Sequence, residues 1–426
     1  MCCAPSTKGA QSAPMSDQAR EFDVIVYGAT GFVGVLVARH LAGFAPAGTR
    51  IALAGRSPEK LEAVRTRLNV DWPIVVADAT DTAALDTMAA RTRVVITTAG
   101  PYAKYGRILA HACAEAGTDY VDLTGEVLFA RDSINENHEA ARRTGARIVH
   151  SCGFDSIPSD IGVHVLHSLV AAEDAGELTD TTLVVTSLRG GVSGGTIDSM
   201  RYQADVMSKD RALRKIGASP YSLSPDRAAE PDLGRQEDMP VLTASEVDPS
   251  LRGHLAPFVM ASYNTRVVRR SNALREWAYG RRFRYREVMS VGASPLSPVI
   301  AHGTKIGLGA LFVGFVVPPV RFVLDRILPK PGTGPSEQRQ QSGHFTMDIF
   351  TTTSTGARYT SRFRAKGDPG YAATAVMLGE SALALALDRE KLPPSEGGVL
   401  TPATGIGDAL VDRLRTSGME ITARKL

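Results

Sequence analysis

Between residues 20 and 150, short runs of β-branched and aliphatic residues alternate with segments whose apolar positions recur every three or four residues. The runs predict strands at Asp23–Tyr27, Arg50–Ala54, Ile74–Ala77, Val94–Thr97, Tyr120–Leu123 and Arg147–His150. The intervening periodicity predicts helices at Val33–Gly43, Pro58–Leu68, Thr82–Arg91, Gly106–Ala116 and Val127–Thr144. The strand runs are apolar without alternation, as in strands covered on both faces. Repeated strand-to-helix steps imply right-handed crossovers, so residues 21–155 read as an α/β unit with a doubly wound parallel sheet.

The rhythm changes after Cys152. A helix is expected to start at Ser159 or Asp160, both capping types, and later strands alternate, as in Thr181–Leu188 and Arg282–Met289. HFTMDIFTTT and ARYTSRFRA flank Ser354-Thr355-Gly356 and predict a hairpin. Residues 156–370 therefore read as an α+β unit of mainly antiparallel strands, with 202–255 as surface loop and short helices. Within it, IGLGALFVGFVVPPV at 306–320 carries no charge. That run is shorter than the ~20 apolar residues of a membrane span and holds two prolines. A buried helix, or a surface that enters a membrane or takes a lipid chain, fits the segment 306–324 better. Helical patterns resume in YAATAVMLGESALALAL and DALVDRLRTSG, so residues 371–426 are expected to return to the first unit.

Composition narrows the function classes. The 426 residues are 43% hydrophobic and 22% charged, which is globular, and exceed one average domain. A net charge of +3 does not point to nucleic acid. The four cysteines form no C-x-x-C pair and the nine histidines no H-E-x-x-H cluster, so neither a disulfide framework nor a metal site is predicted. A reducing cytoplasm fits that usage. Residues 1–20 are small and polar without the apolar core of a secretory signal. They read as a disordered tail, with Met15 as an alternative start and lipidation of Cys2 or Cys3 disfavoured.

VIVYGATGFVG, residues 24–34, spaces Gly28, Gly31 and Gly34 as G-x-x-G-x-x-G. A strand ending in a glycine turn that opens a helix presents unpaired N–H groups and partial positive charge, which suits a phosphate. Gly28 is expected to make the tight turn, Gly31 to admit the pyrophosphate, and Gly34 to let helix and strand touch. Thr30 and Phe32 complete this cofactor turn. A flexible loop is the plain alternative, but Val33, Leu36 and Val37 follow at helical spacing. The next strand, IALAGRSPEK, ends without the carboxylate that grips an NAD ribose. Arg56 and Ser57 stand there instead and suit the 2′-phosphate of NADP, unless Arg56 is only a solvated strand end. Asp78 meets the adenine or caps the following helix.

GATGFVG, AGRS, TTAGPYAKYG, AGTDYVDLTGE, CGFDSIPSD and GGVLTPATGIGDAL together resemble the saccharopine dehydrogenase-like oxidoreductases. NTRVVRRSNALREWAYGRRFRY narrows the resemblance to their mycobacterial trans-acting enoyl reductase branch. The likeness runs from Phe22 to the final helices. It implies a Rossmann-type NADP domain, a second α+β domain for the substrate, and C-terminal helices packing back. It also implies NADPH-dependent reduction of a carbon-carbon double bond on a polyketide still attached to its synthase, for phthiocerol-type or phenolphthiocerol-type envelope lipids.

An open α/β sheet holds its reaction centre at the carboxyl ends of its strands. After the fourth strand, Gly100 and Pro101 are expected beside the nicotinamide ribose, with Tyr102, Lys104 and Tyr105 as candidate proton donors. Each could equally be an ordinary turn residue. Asp122, Thr124, Glu126 and Asp155 reach the same end, whereas Ser156 and Asp160 read as caps and Cys152 as a buried thiol. Ser193-Gly194-Gly195-Thr196 reads as a turn before a helix or as a second anion-holding turn. Arginines 266, 269, 270, 275, 281, 282, 284 and 286 form a solvated face or dock an acidic carrier protein. Two further readings compete: a saccharopine-type imine or carbonyl reductase, and a lipid-binding protein at the inner face of the plasma membrane with the cofactor fold as scaffold.

Overall fold

The computed structural model describes residues 20–191, 193–329 and 334–426. The expected disordered tail, Met15, Cys2 and Cys3 lie outside the described residues. The first unit alternates β1 (Phe22–Tyr27), α1 (Phe32–Phe44), β2 (Ile51–Gly55), α2 (Pro58–Leu68), β3 (Ile74–Val76), α3 (Thr82–Ala90) and β4 (Thr92–Thr97). It continues through α4 (Tyr102–Tyr105), α5 (Arg107–Ala116), β5 (Asp119–Val121), α6 (Val127–Thr144) and β6 (Arg147–Val149). All six residues of β1 are buried. β1 lies parallel between β2 and β4, with Val24 opposite both Ile51 and Val94. The strand order therefore reverses at β1, which opens a crevice above its carboxyl end. Side chains of α3, α5 and α6 cover one face of this sheet.

The second unit begins with α7 (Ile157–Ala172), two residues before the expected start. Ser156 holds the N-cap position but makes no side-chain capping bond, its Oγ donating to Asn264 instead, and Asp160 lies within the first turn and accepts from Ser271 Oγ and from Ala403 N at 2.8 Å. Then come β7 (Leu178–Arg189), α8 (Gly194–Lys209), α9 (Arg211–Ala218), β8 (Leu242–Thr243), β9 (His254–Pro257), α10 (Ala261–Leu274) and β10 (Arg284–Ser290). After them run α11 (Ser297–Val316), α12 (Pro318–Ile327), α13 (Glu337–Ser342), and the expected hairpin of β11 (His344–Thr353) and β12 (Arg358–Lys366). This sheet is mixed, because the chain crosses over through α10 and brings β10 back parallel to β7.

The last segment serves both sheets. α14 (Thr374–Leu387) packs on α1, β1, β4 and β5. β13 (Gly398–Leu400) then extends the first sheet parallel to β6. After α15 (Pro402–Gly405) and α16 (Asp408–Thr416), β14 (Glu420–Lys425) closes the second sheet against β12. The sequence pattern missed both strands, because a three-residue strand has too little periodicity and β14, EITARK, is half charged and buries only Ile421.

Two apolar helices meet opposite fates. Pro369–Leu387 is long and apolar enough to cross a membrane, but 78% of it is buried in the protein core. Ser297–Val316 passes the same test with only 17% buried. The choice left open for 306–324 thus goes against a buried helix: Ile306, Val313, Val316, Val320, Phe322 and Val323 are exposed.

The arginine cluster is not one solvated face. Arg266, Arg269 and Arg270 lie on α10, buried on nearly every side, so their donors must be answered inside the protein. Arg266 pairs with Asp238 at 2.8 Å and donates to Gly217 O. Arg269 donates to Pro220 O and Tyr285 O, and Arg270 to Leu223 O and Val399 O. These three arginines knit segment 217–238 to both sheets and are closed to an acidic partner. Arg281 stays at the rim, 4.6 Å from the Trp277 ring.

Candidate active site

The crevice above β1 opens into a cavity of about 770 Å³ between the two units. Of the expected cofactor residues, Gly28, Thr30, Gly31, Phe32, Arg56, Asp78, Gly100 and Pro101 line it. Gly28 sits at φ +80, and a Cβ there would stand 3.0 Å from Thr98 Oγ1 and 3.2 Å from Ala99 N. Only glycine adopts that turn without strain. Gly34 lies behind the wall, where a Cβ would stand 2.2 Å from Gly28 O, so its lack of a side chain sets the distance between α1 and β1. No side chain caps α1, and Gly31, Phe32 and Val33 at its start face the cavity. The cradle thus fits a pyrophosphate.

At the tips of β2 and β3 stand Arg56, exposed to the cavity, and Asp78, which accepts from Thr80 N and Oγ1 at 2.9 and 2.7 Å. The cap of α3 is Asp81, not Asp78. Ser57 is the cap of α2, accepting from Lys60 N and donating to Glu59, and lies outside the cavity lining.

The three expected proton donors separate. Tyr102 is buried: its hydroxyl donates to Thr97 O and accepts from Leu123 N, both at 3.2 Å. Burial, then the Asp122 charge, raises its pKa well above that of an ordinary phenol, and the hydroxyl is already engaged by backbone on both sides. Lys104 turns away onto the Tyr202 ring at 5.1 Å. Tyr105 lines the cavity and is 42% exposed.

The carboxylates after β5 hold the wall together. Asp122 takes His150 Nδ1 at 2.7 Å, Tyr120 Oη at 3.0 Å and two backbone amides. His150 Nε2 meets Ser133 Oγ at 2.8 Å. That order resembles a nucleophile's triad, but all three residues are sealed in the core. Glu126, fully buried, accepts from Tyr102 N and Ala103 N at 2.9 Å and from Ser199 Oγ of α8 at 2.6 Å. Burial raises its pKa while these donors oppose the rise. Cys152 is buried beside Val149 O, as an inert thiol should be.

The opposite wall was mostly illegible in sequence. Leu188, Met200, Met207, Phe258, Met260 and Phe312 make it apolar. Ser193 caps α8 through Thr196 N at 3.0 Å, which answers the turn at 193–196 as a cap whose residues also face the cavity. Asp155, held between this wall and the carboxyl end of β6, lies beside the Thr196 hydroxyl, and burial pushes its carboxyl up to about 6. Among the described residues on the cavity wall, Arg56 is the single cation. Neither Arg189 nor any of the arginines from 266 onward lines it. Among the described residues no group of three or more His, Cys, Asp or Glu gathers as metal ligands would.

Residues 24–149 match the family described as the Saccharopine dehydrogenase NADP binding domain. The fold is shared with saccharopine dehydrogenase (L-Glu forming) of Saccharomyces cerevisiae, TM-score 0.53 over 95% of this chain and 99% of that one, at 14% identity. The protein is an NADP-dependent oxidoreductase of the saccharopine dehydrogenase type. A Mycobacterium tuberculosis H37Rv protein, Rv2449c, is 51% identical over 97% of this chain and all of its own. The trans-acting enoyl reductases of Mycobacterium ulcerans and Mycobacterium bovis BCG are 49% and 48% identical, again over 97% of this chain and their whole length. The chain belongs to the trans-acting enoyl reductase family.

Asp155 gives a signature that needs no substrate. Its folded pKa of about 6 lies above the ordinary 3.8. Its contribution to stability is therefore complete below about pH 4 and lost as pH rises through about 6. Thermal unfolding of Asp155→Asn against wild type should show the variant gaining relative stability from pH 4 to 7. A gap that stays constant across that range would place an ordinary carboxylate at 155.

Proposed function

We propose that the protein reduces the carbon-carbon double bond of an acyl chain delivered on a carrier or polyketide synthase, in the making of phthiocerol-type or phenolphthiocerol-type lipids. The observation that carries this reading is the composition of the cavity beyond the nucleotide cradle: apolar and methionine-rich, with no cation among the described residues. A saccharopine-type substrate brings carboxylates and an ammonium group, which need fixed opposite charges. A greasy chain needs none, and flexible methionines adapt to its shape. The single cation among the described lining residues, Arg56, stands at the nucleotide end.

In this reading residues 21–155 hold the cofactor, residues 156–370 the substrate, and residues 371–426 complete both. Gly28, Thr30, Gly31, Phe32 and Gly34 build the pyrophosphate turn, Arg56 takes the 2′-phosphate with Ser57 fixing its strand end, Asp78 borders the adenine, and Gly100 and Pro101 border the ribose. Bound NADPH supplies a hydride to the β-carbon. Of the candidate catalytic residues, Tyr102 and Lys104 position the α4 turn, while Tyr105 is free to hold the thioester oxygen as negative charge develops there. The exposed apolar hairpin of α11 and α12, with Lys305, Arg321 and Arg326 on it, suits peripheral contact with the anionic inner face of the plasma membrane. Phe312 of the same hairpin lines the cavity, so a lipid chain has a short apolar path between the two.

Three outcomes follow. Arg56→Ala should weaken NADPH binding about tenfold or more, as loss of charge-assisted hydrogen bonds does, and leave NADH binding unchanged in fluorescence titration. Equal loss for both nucleotides would remove Arg56 from the 2′-phosphate. Incubation with NADPH and a 2-enoyl chain on a carrier protein should add two hydrogens to the chain by mass spectrometry; cofactor oxidation without that gain rejects enoyl reduction. Val313→Asp with Phe322→Asp should abolish co-sedimentation with phosphatidylglycerol vesicles while NADPH binding persists, and undiminished co-sedimentation would assign the hairpin another role.

A further inference from the structure

Enoyl reduction needs a proton at the α-carbon, and the tyrosines first expected to give it are poorly placed. Tyr102 is locked between two backbone groups. Tyr263 reaches the cavity but its hydroxyl is held against Ser151 Oγ at 2.5 Å, and burial drives its acidity away from neutrality. Tyr27 is tied towards Ala77 O and Tyr371 accepts from Gly194 N. Tyr105 is exposed at the cavity edge, and its hydroxyl is the group assigned above to the thioester oxygen.

The acids on the wall separate equally well. Asp78 holds Thr80 at the nucleotide end, and Asp198 pairs with Arg201 at 3.4 Å one turn along α8. Asp155 alone stands at the carboxyl end of β6 with a hydroxyl, not a cation, as its partner. Its backbone is pinned on both sides. Phe154 N donates to Thr374 Oγ1 at 3.0 Å, and Ser156 N and Ile157 N both donate to Gly153 O. Gly153 itself is pressed so closely on Leu123 that a Cβ would stand 2.7 Å from its Cδ2. A carboxyl group held on so rigid a loop keeps one position relative to the strand ends where the reaction occurs.

We propose that Asp155 is the proton donor of the reduction, an assignment that rests on the enoyl reductase reading above. The two electrons arrive with the hydride at the β-carbon. The Asp155 O–H bond then breaks, its proton forms the new C–H bond at the α-carbon, and the enolate held by Tyr105 returns to a thioester. The carboxylate left on Asp155 regains its proton from water through the open end of the cavity. A carboxyl group titrating near neutrality serves both halves of this cycle, giving the proton and taking it back.

The test compares wild type, Asp155→Asn and Asp155→Glu as full-length proteins with NADPH and a trans-2-enoyl chain on a carrier protein. Asp155→Asn should lower kcat by about 10² or more with NADPH affinity within about twofold, while Asp155→Glu restores part of the rate. The wild-type kcat/KM should fall as pH rises through about 6, and this limb should be missing from the residual rate of Asp155→Asn. Carbon-13 NMR of the cofactor-free protein should show one aspartate titrating near that pH and lost in Asp155→Asn. Unchanged kcat and pH profile in Asp155→Asn, with wild type reducing the chain, overturns this assignment alone. Failure of wild type to reduce the chain overturns the activity reading beneath it. Should Asp155→Asn not fold, an Asp155→Glu profile identical to wild type overturns the assignment as well.

Discussion

The site depends on one buried carboxylate. Glu126 sits between the two sheets with no exposed surface, accepting from the first amides of α4 and from Ser199 of α8. A carboxylate taken out of water is costly unless donors surround it, and charge-assisted bonds are the strong ones. Three donors from two units meet that demand. The consequence is geometric: the turn carrying Gly100 and Pro101 cannot drift from the wall that begins at Ser193. The cavity therefore has fixed width where the two units face each other.

The other constraints extend this one. Gly34 lets α1 touch β1, and Gly28 bends the chain where a side chain would collide with Ala99. The α10 arginines fasten segment 217–238 by its carbonyls, which places Gly217 on the cavity wall. Buried guanidinium groups are tolerable there because each finds several oxygens at once. Both units are finished by the last fifty residues, since β13 edges one sheet and β14 the other. Neither sheet is complete without the chain end, so the two walls of the cavity form together.

The parts of this arrangement that were legible in the sequence are the local ones. The glycine spacing, the six parallel strands and Arg56 at a strand tip follow from a few adjacent residues, because turns and strand periodicity are set within about ten positions. The arginine run was misleading for the opposite reason. Eight cations in a short stretch look solvated, and only the fold reveals that three of them face carbonyls contributed from 40 or more residues away. Asp155 was visible as a polar residue after β6, but its significance depends on burial by α8, about forty residues downstream. Ser156 and Asp160 were taken by tertiary partners in place of their helix. The methionine-rich wall has no periodic signature, and its residues come from β7, α8, α11 and the connection between β9 and α10.

The proposed reaction is hydride addition to the β-carbon of an unsaturated acyl chain in this cavity. Single-turnover reaction with NADPH deuterated at nicotinamide C4, on the transferred face, tests it most directly. Enoyl reduction predicts one deuterium at the β-carbon of a saturated acyl product, located by fragmentation mass spectrometry. Deuterium at the former carbonyl carbon, as in an alcohol or amine product, would contradict it.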